Sequence, residues 1–292
     1  MILPTLEQDK NIYLLLDAAK ISDVIRRVVA VCSTDPITPI YAGTQLQDIL
    51  AASPLLIHVG DFEQYTPLFQ DTEILAGCLV IQSSFSYDTM IKFWQANSIA
   101  YFPSGDIPAI FRLHDPVFYA AFQNTEFDLD KVRLSGPCEH VWVWDGNQRT
   151  WNDYPQELIK GVDLDFRPIE LTDTLMAVMT EVKVHHVIRL LSIHIKTYFP
   201  KLFEQDESSE PLAKFLFAKS SELGFTGQQQ IFFFANIWCY LGSDCINEEK
   251  YPDIANKLLK PSTETPQQRI SRAAFLLENY KQNLIHRQQD YI

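Results

Sequence analysis

The residues best suited to covalent chemistry are Cys138 and the histidines near it in the sequence. Cys138, Glu139 and His140 are consecutive, and His114 lies earlier in the same half of the chain. A cysteine nucleophile needs a histidine close in space and a positive or helix-N-terminal setting that stabilises the thiolate. No sequence neighbour of Cys138 supplies that setting, and neighbouring residues along a strand point to opposite faces. A cysteine-dependent hydrolase that uses Cys138 with His140 or His114 is therefore an alternative and not the favoured interpretation.

A second polar group lies in residues 109–126, where the pattern predicts a short strand followed by a helix. Arg112 and His114 are two residues apart, so both project from one face of that strand. Asp115 and Pro116 predict the helix start, because aspartate caps free N–H groups and proline fits the first helical position. Arg112 and His114 beside a helix N-terminus could bind an anion or a partner. The alternative is structural: an Arg112–Asp115 ion pair that fixes the strand-to-helix corner.

Histidines also lie in a predicted long helix, at positions 185, 186 and 194. His185 and His186 diverge by about 100° around that helix and cannot chelate together. His186 and His194 are two turns apart with Leu190 between them, which is typical of core or boundary positions. No cysteine pair has zinc-knuckle spacing, and glycine-rich phosphate loops are absent from the sequence. We therefore expect no metal, no cofactor and no catalytic residue.

Two aromatic-rich segments are candidates for partner binding. Trp142 and Trp144 share one face of a predicted strand, and that face is either core or an exposed recognition surface. Residues 231–238 include Phe232, Phe233 and Trp238 and are apolar around the whole circumference of a helix. Such a helix is by default buried. The alternative is that it lines a groove that accepts an amphipathic helix of a partner.

Composition limits the class of partner and the compartment. The net charge is −13, and residues 1–160 carry 10 basic against 20 acidic side chains. Nucleic-acid binding requires a basic surface and is therefore not expected. The five cysteines are an odd number and widely spaced, which predicts reduced thiols in the cytoplasm. The N-terminus lacks a signal-peptide pattern and no apolar run is long enough to cross a bilayer, so we expect no membrane insertion.

Hydrophobic periodicity divides the chain into two parts. Up to about residue 160, short apolar runs such as 12–16 and 55–59 alternate with helical patterns, and Asp145-Gly146 predicts a hairpin between aromatic strands. From about residue 170 the spacing is helical throughout. We predict an α+β protein, with an α/β lobe that contains a mixed sheet over residues 1–160 and an all-helical lobe over residues 170–292.

Several stretches resemble motifs of a known family and occur in the family's order over most of the chain. They are residues 13–19 (YLLLDAA), 53–57 (SPLLI), 111–116 (FRLHDP), 136–137 with 141–144, 223–242 and 265–269 (TPQQR). On these motifs the chain resembles the type VI secretion effector adaptors, also called effector chaperones (domain of unknown function 4123). Departures from the family pattern occur at Leu113, His114, Val117 and residues 92–94.

The resemblance implies a non-catalytic cytoplasmic adaptor that binds a secreted effector and helps to load it onto the secretion spike. The implied partners are an apolar or helical segment of the effector and a spike-tip protein. Our candidate partner-binding residues are Arg112, His114, Asp115, Trp142, Trp144, Phe232, Phe233 and Trp238. The alternatives are the cysteine hydrolase described above and an immunity protein or structural subunit of the same system.

Overall fold

The computed structural model describes residues 4–7, 9–103, 108–125, 133–146, 148–156, 166–204, 207–260 and 262–289, with side chains up to 282. The chain divides into two compact units, Met1–Val182 and Lys183–Ile292, which are described separately. The predicted fold class, α+β with strands in the N-terminal part and helices in the C-terminal part, is confirmed. The lobe boundary at residues 160–170 stays a prediction.

A six-stranded antiparallel sheet forms the centre of the first unit. Its strands are β1 (Asn11–Leu16), β2 (Ile37–Pro39), β3 (Leu55–Val59), β4 (Cys78–Ser83), β7 (His140–Asp145) and β8 (Thr150–Pro155), in the order β2-β3-β1-β4-β7-β8. In the central strand β1, Leu14 lies opposite Ile57 of β3 and Val80 of β4. The predicted hairpin is confirmed, since β7 and β8 are paired antiparallel neighbours.

Both faces of this sheet are covered, which explains the continuous apolar runs of its central strands. Alternate residues of β1 enter two separate cores, with Tyr13 and Leu15 in one and Leu14 and Leu16 in the other. The helices of the first unit are α1 (Val24–Val31), α2 (Thr72–Ala76), α3 (Tyr87–Ala96) and α4 (Pro116–Gln123), with 3-10 helices at Gln47–Ala52 and Phe62–Gln70.

A smaller sheet of three strands supplies the parallel pairing. It contains β5 (Ile99–Tyr101), β6 (Pro108–Ile110) and β9 (Ile169–Glu170), in the order β6-β5-β9. β5 is antiparallel to β6 and parallel to β9. The main sheet is thus antiparallel, and the mixed pairing of the predicted lobe lies in this second sheet.

The second unit is built from helices. They are α5 (Asp173–Tyr198), α6 (Glu210–Glu222), α7 (Gln228–Leu241), α8 (Pro252–Leu259) and α9 (Pro266–Gln289), and the division between the units falls within α5. Gly224 and Gly242, which lie just after α6 and α7, have φ angles of 82° and 63°, which glycine tolerates best. Arg269 donates to the carbonyl of Lys260 at 2.9 Å and lies 5.0 Å from the ring of Phe225, so it ties α9 to the end of α8 and to the core.

Within the described ranges, none of these helices combines the length and the apolarity that crossing a membrane demands.

Candidate functional site

The predicted corner between strand and helix is a turn that leads into α4. β6 ends before residue 111, and the N–H of Asp115 donates to the carbonyl of Arg112 at 2.9 Å, which closes the turn. The carboxylate of Asp115 accepts the N–H of Val117 at 3.0 Å, and Pro116 occupies the first helical position. The predicted cap and helix start are therefore confirmed. The expected strand does not continue through Arg112 and His114, so these two residues do not share a strand face.

The ion pairs at this corner differ from the predicted Arg112–Asp115 pair. Arg112 pairs instead with Asp17, a fully buried carboxylate just after β1. Asp115 pairs with Lys20, at 2.8 Å. The predicted partner was wrong because both pairs join residues 95 positions apart in the chain, which local spacing cannot show. Together the two pairs fasten the start of α4 to the segment that follows β1.

Burial and the neighbouring cations act in opposite directions on the two carboxyl groups of this corner. Burial raises the pKa of Asp17, and the cations Arg112 and Lys20 oppose that rise. Burial acts in the same direction on Asp115, but Lys20 and the N–H of Val117 outweigh it and lower the pKa of that carboxyl.

The His114 side chain is part of the core. It is 2% exposed, and burial, together with the charge of Arg112, lowers its pKa to about 3. The ring is therefore neutral near pH 7, and its Nε2 lies 3.9 Å from Asp17. We correct the assignment of His114 to partner binding, because a neutral buried ring presents nothing to a partner. Arg112 and Asp115 remain partly accessible, and their role in binding stays a prediction.

The tryptophans of β7 resolve the choice between core and recognition surface. Trp142 is buried and packs into the second core of the first unit. Trp144 is half-buried against the same core, with its ring 5.5 Å from Trp151. Trp142 is thus a core residue and is withdrawn as a binding residue. Trp144 belongs to the margin of the same core, and its binding role stays a prediction.

The cysteine alternative gains no support from the geometry. Cys138 is fully buried, and burial raises the pKa of its thiol far above the ordinary value. His140 lies at the surface, with its Nδ1 3.1 Å from the carboxylate of Asp153. A thiol that stays protonated cannot act as the nucleophile. Across the part of the chain that the structure describes, no group of three or more His, Cys, Asp or Glu side chains could hold a metal ion.

The apolar helix predicted around residues 231–238 is α7, which has a buried face and a half-buried margin. Its buried residues are Ile231, Phe234, Ala235 and Ile237. Phe232, Phe233 and Trp238 are half-buried and pack against the helical core from its edge. Trp238 lies edge-on to Phe215, with ring centroids 5.2 Å apart. The expectation that this helix is buried all round is therefore met on one face of α7 only.

An aromatic surface lies where α5 meets this margin of α7. We call it the α5–α7 patch and define it as His194, Tyr198, Phe232, Asn236 and Tyr240. The His194 ring lies 4.7 Å from that of Tyr198 and 5.0 Å from that of Phe232, and its Nε2 is 2.7 Å from Oδ1 of Asn236. Asn236 and Tyr240 follow Phe232 at successive four-residue steps, so the three share one side of α7.

Two tyrosines give this patch its accessible area. Tyr198 is 68% exposed and Tyr240 is 53% exposed. Sequence reasoning found Phe232 but missed both tyrosines. The signal was the four-residue spacing of His194 with Tyr198 on α5, and of Phe232, Asn236 and Tyr240 on α7, which places each set on one side of its helix.

The first unit has a second accessible apolar surface, which sequence reasoning also missed. It is a groove of about 690 Å³ between α1 and the 3-10 helix at 47–52. We call it the α1 groove. Its lining residues are Ala18, Ile21, Asp23, Val24, Ile25, Arg26, Val29, Pro39, Leu50, Ala51, Ser53 and Leu55.

Comparison with known proteins finds a family model that matches part of this chain. The family model described as "Domain of unknown function (DUF4123)" matches residues 12–130. The resemblance seen in the sequence motifs is thereby confirmed. The DUF4123 match includes the α1 groove and the Asp17–Arg112 corner, whereas the α5–α7 patch lies C-terminal to it.

A relative extends the similarity beyond the DUF4123 region. The chain is 24% identical to "Accessory protein VasW" of Vibrio cholerae serotype O1, over 97% of this chain and 93% of the Vibrio protein. The α5–α7 patch therefore lies in a part of the chain that has a counterpart in this relative. No solved structure matches the chain.

Proposed function

We propose that this chain is an accessory protein of a type VI secretion system, and that it acts as an adaptor for one secreted effector. Its DUF4123 region and its similarity to an accessory protein along nearly the whole chain support this role. The motifs that resemble effector adaptors support the finer assignment. In this proposal the chain works in the cytoplasm, performs no catalysis and delivers the effector to the secretion spike.

The observation that carries the adaptor proposal is the α5–α7 patch. Tyr198 and Tyr240 are more than half exposed on a surface whose other members are held in place by ring contacts. Tyrosine combines a large apolar ring with a polar end, and it orders few torsions when it binds, which suits it to protein interfaces. An apolar or helical segment of the effector is the partner that such a surface fits.

The accessory role is tested in the producing bacterium by deleting the gene. We expect secretion of the effector encoded beside the gene to stop, while a second effector of the same system is still secreted. Complementation with the wild-type gene should restore secretion of the first effector, and a Cys138→Ala variant should restore it equally. Loss of both effectors would instead indicate a structural subunit, and normal secretion of both would refute the accessory role.

A further inference from the structure

We propose that the α1 groove is a second docking site, and that it binds an amphipathic helix of a partner protein that carries carboxylates beside its apolar stripe. This inference goes beyond the adaptor role, since it assigns a separate surface of the first unit to a separate partner segment. The proposal for the α1 groove does not depend on partner binding by the α5–α7 patch.

The apolar side of the groove comes from exposed side chains on two elements. Ile25 and Val29 are 55% and 46% exposed and lie one turn apart on α1. Leu50, from the 3-10 helix, faces the same groove and is 36% exposed. Val24 and Val28, each about 100° round α1 from the exposed pair, are buried in the core, so α1 packs on the sheet through a face next to the one that carries Ile25 and Val29. Large β-branched side chains left open in this way mark an interaction surface.

The shape of the groove favours a helix over a strand or a small molecule. α1 has eight residues and is about 12 Å long, which matches about two turns of a partner helix. The adjacent edge strand β2 has only three residues, and Pro39 lacks an N–H, so it offers little for strand addition. The hydroxyl of Ser53 is occupied by the N–H of Tyr41 and the carbonyl of Pro54, which leaves few polar groups to orient a small ligand.

The charge of the groove rim indicates the chemistry of the partner. Arg27 is engaged within the unit by Asp71 at 3.1 Å and Glu73 at 2.9 Å. Arg26, the next residue on α1, lines the groove and makes no ion pair within 4 Å to any residue that the structure describes.

The other charged residue of the lining does not cancel this cation. Asp23 immediately precedes the first turn of α1, where the helix dipole already favours a negative charge. An unpaired guanidinium beside an apolar stripe complements a carboxylate that flanks the stripe of the incoming helix.

The test uses three synthetic peptides of about 14 residues, long enough for the groove with a turn at each end. The first has an apolar stripe at helical spacing flanked by glutamates, the second has the same stripe flanked by lysines, and the third has the glutamates with the stripe scrambled. Binding to the full chain is followed by methyl NMR. We expect the first peptide to shift the methyl signals of Ile25, Val29 and Leu50 saturably, and about five-fold more tightly than the lysine peptide.

Variants on the exposed side of α1 make the result specific. In Ile25→Ala with Val29→Ala, the peptide should no longer shift the methyl signals of Leu50, the reporter that this variant keeps, and Arg26→Glu should reverse the preference between the two charged peptides. Ile193→Ala is the matched control, because Ile193 is also helical and is 54% exposed in the second unit, and it should change nothing.

Several results would overturn the proposal. These are equal binding of the scrambled peptide, equal binding of the two charged peptides, absence of binding, or concentration-dependent self-association that Ile25→Ala removes. The last would show that a second copy of the chain covers the groove. None of these results bears on the effector secretion assay, so the two proposals fail separately.

Discussion

At the scale of single residues, the Asp17–Arg112 pair joins two distant parts of the first unit. Asp17 is fully buried, whereas Arg112 is 39% exposed. Loss of the cation leaves a buried carboxylate without its partner, which costs more than loss of an exposed pair.

We predict that Arg112→Met lowers the free energy of unfolding by about 2 kcal/mol, a value reduced by the partial exposure of Arg112. Lys20→Met should cost less than about 1 kcal/mol, because the carboxylate that it leaves, Asp115, is 17% exposed whereas Asp17 is fully buried. Urea denaturation at neutral pH compares the two variants. Adding Asp17→Asn to Arg112→Met should recover part of the loss. Equal costs for the two single variants would contradict the burial argument.

Because His114 is buried in its neutral form, the stability of the first unit should fall as the pH is lowered. Its pKa is about 3 in the folded chain against an ordinary 6.5, because the ring is buried beside Arg112. Between these values the unfolded chain binds a proton that the folded chain does not, so stability is full above pH 6.5 and is lost as the pH falls towards 3. Lowering the pH from about 7.5 to about 5.5 should therefore reduce the free energy of unfolding by about 1 kcal/mol, because of protonation of His114 in the unfolded chain.

The measurement is urea denaturation at both pH values for the wild type and for His114→Gln. We expect the variant to be less stable at the higher pH but to lose about 1 kcal/mol less on acidification. The charged groups around the ring, Asp17, Arg112, Lys20 and Asp115, are the same in both proteins. An unchanged difference between the two pH values would show that His114 is not the titrating group.

At the scale of elements, the turn before β7 shows how closely α3 packs. Gly136 has a φ angle of 51°, and a Cβ atom there would collide with the ring of Phe93, a buried residue of α3. Gly43 has a φ angle of 71° but no neighbour within 4 Å of its Cβ position. Alanine substitutions at Gly136 and Gly43 therefore separate the cost of backbone strain from the cost of a steric collision.

We predict that Gly136→Ala lowers the free energy of unfolding by about 3 kcal/mol, because strain and overpacking add. Gly43→Ala, with strain alone, should cost about 1 kcal/mol. Thermal and urea denaturation of the two variants measure the difference. Similar costs would mean that the turn at Gly136 is free to move away from α3.

The elements also show which features the sequence could predict. The cap at Asp115 and the β7–β8 hairpin depend on neighbouring residues, and local chemistry was sufficient for both of them. The Asp17–Arg112 pair was beyond that reasoning, because its partners are far apart in the chain.

The candidate surfaces were predicted only in part, for the same reason. Phe232 was found because its own helix is strongly apolar, but Tyr198 joins it only through the packing of α5 on α7. Likewise, the helical spacing of α1 shows an apolar stripe, but not that Ile25 and Val29 stay outside the core. Which apolar residues remain accessible is decided by packing between elements, and one sequence does not contain that information directly.

At the scale of the whole molecule, we propose that the chain acts through exposed apolar surface and not through a reactive group. The variant Tyr198→Ala with Tyr240→Ala removes two exposed rings from the α5–α7 patch, together with the contacts that Tyr240 makes with Phe199 and Lys281. We expect it to weaken effector binding by at least about ten-fold, the effect typical of losing aromatic anchors. Phe275→Ala is the matched control, since Phe275 is 66% exposed on α9 and lies outside the patch. If Phe275→Ala weakened effector binding as much as the double tyrosine variant does, the α5–α7 patch would not be the binding surface.

The most direct test of the central claim is size-exclusion chromatography of this chain with the effector encoded beside it, after the two are expressed together. The account predicts that the effector is soluble and elutes with the chain in one complex, and that it is lost from that complex in the Tyr198→Ala, Tyr240→Ala variant. An effector that is equally soluble alone and elutes separately from the wild-type chain would contradict it.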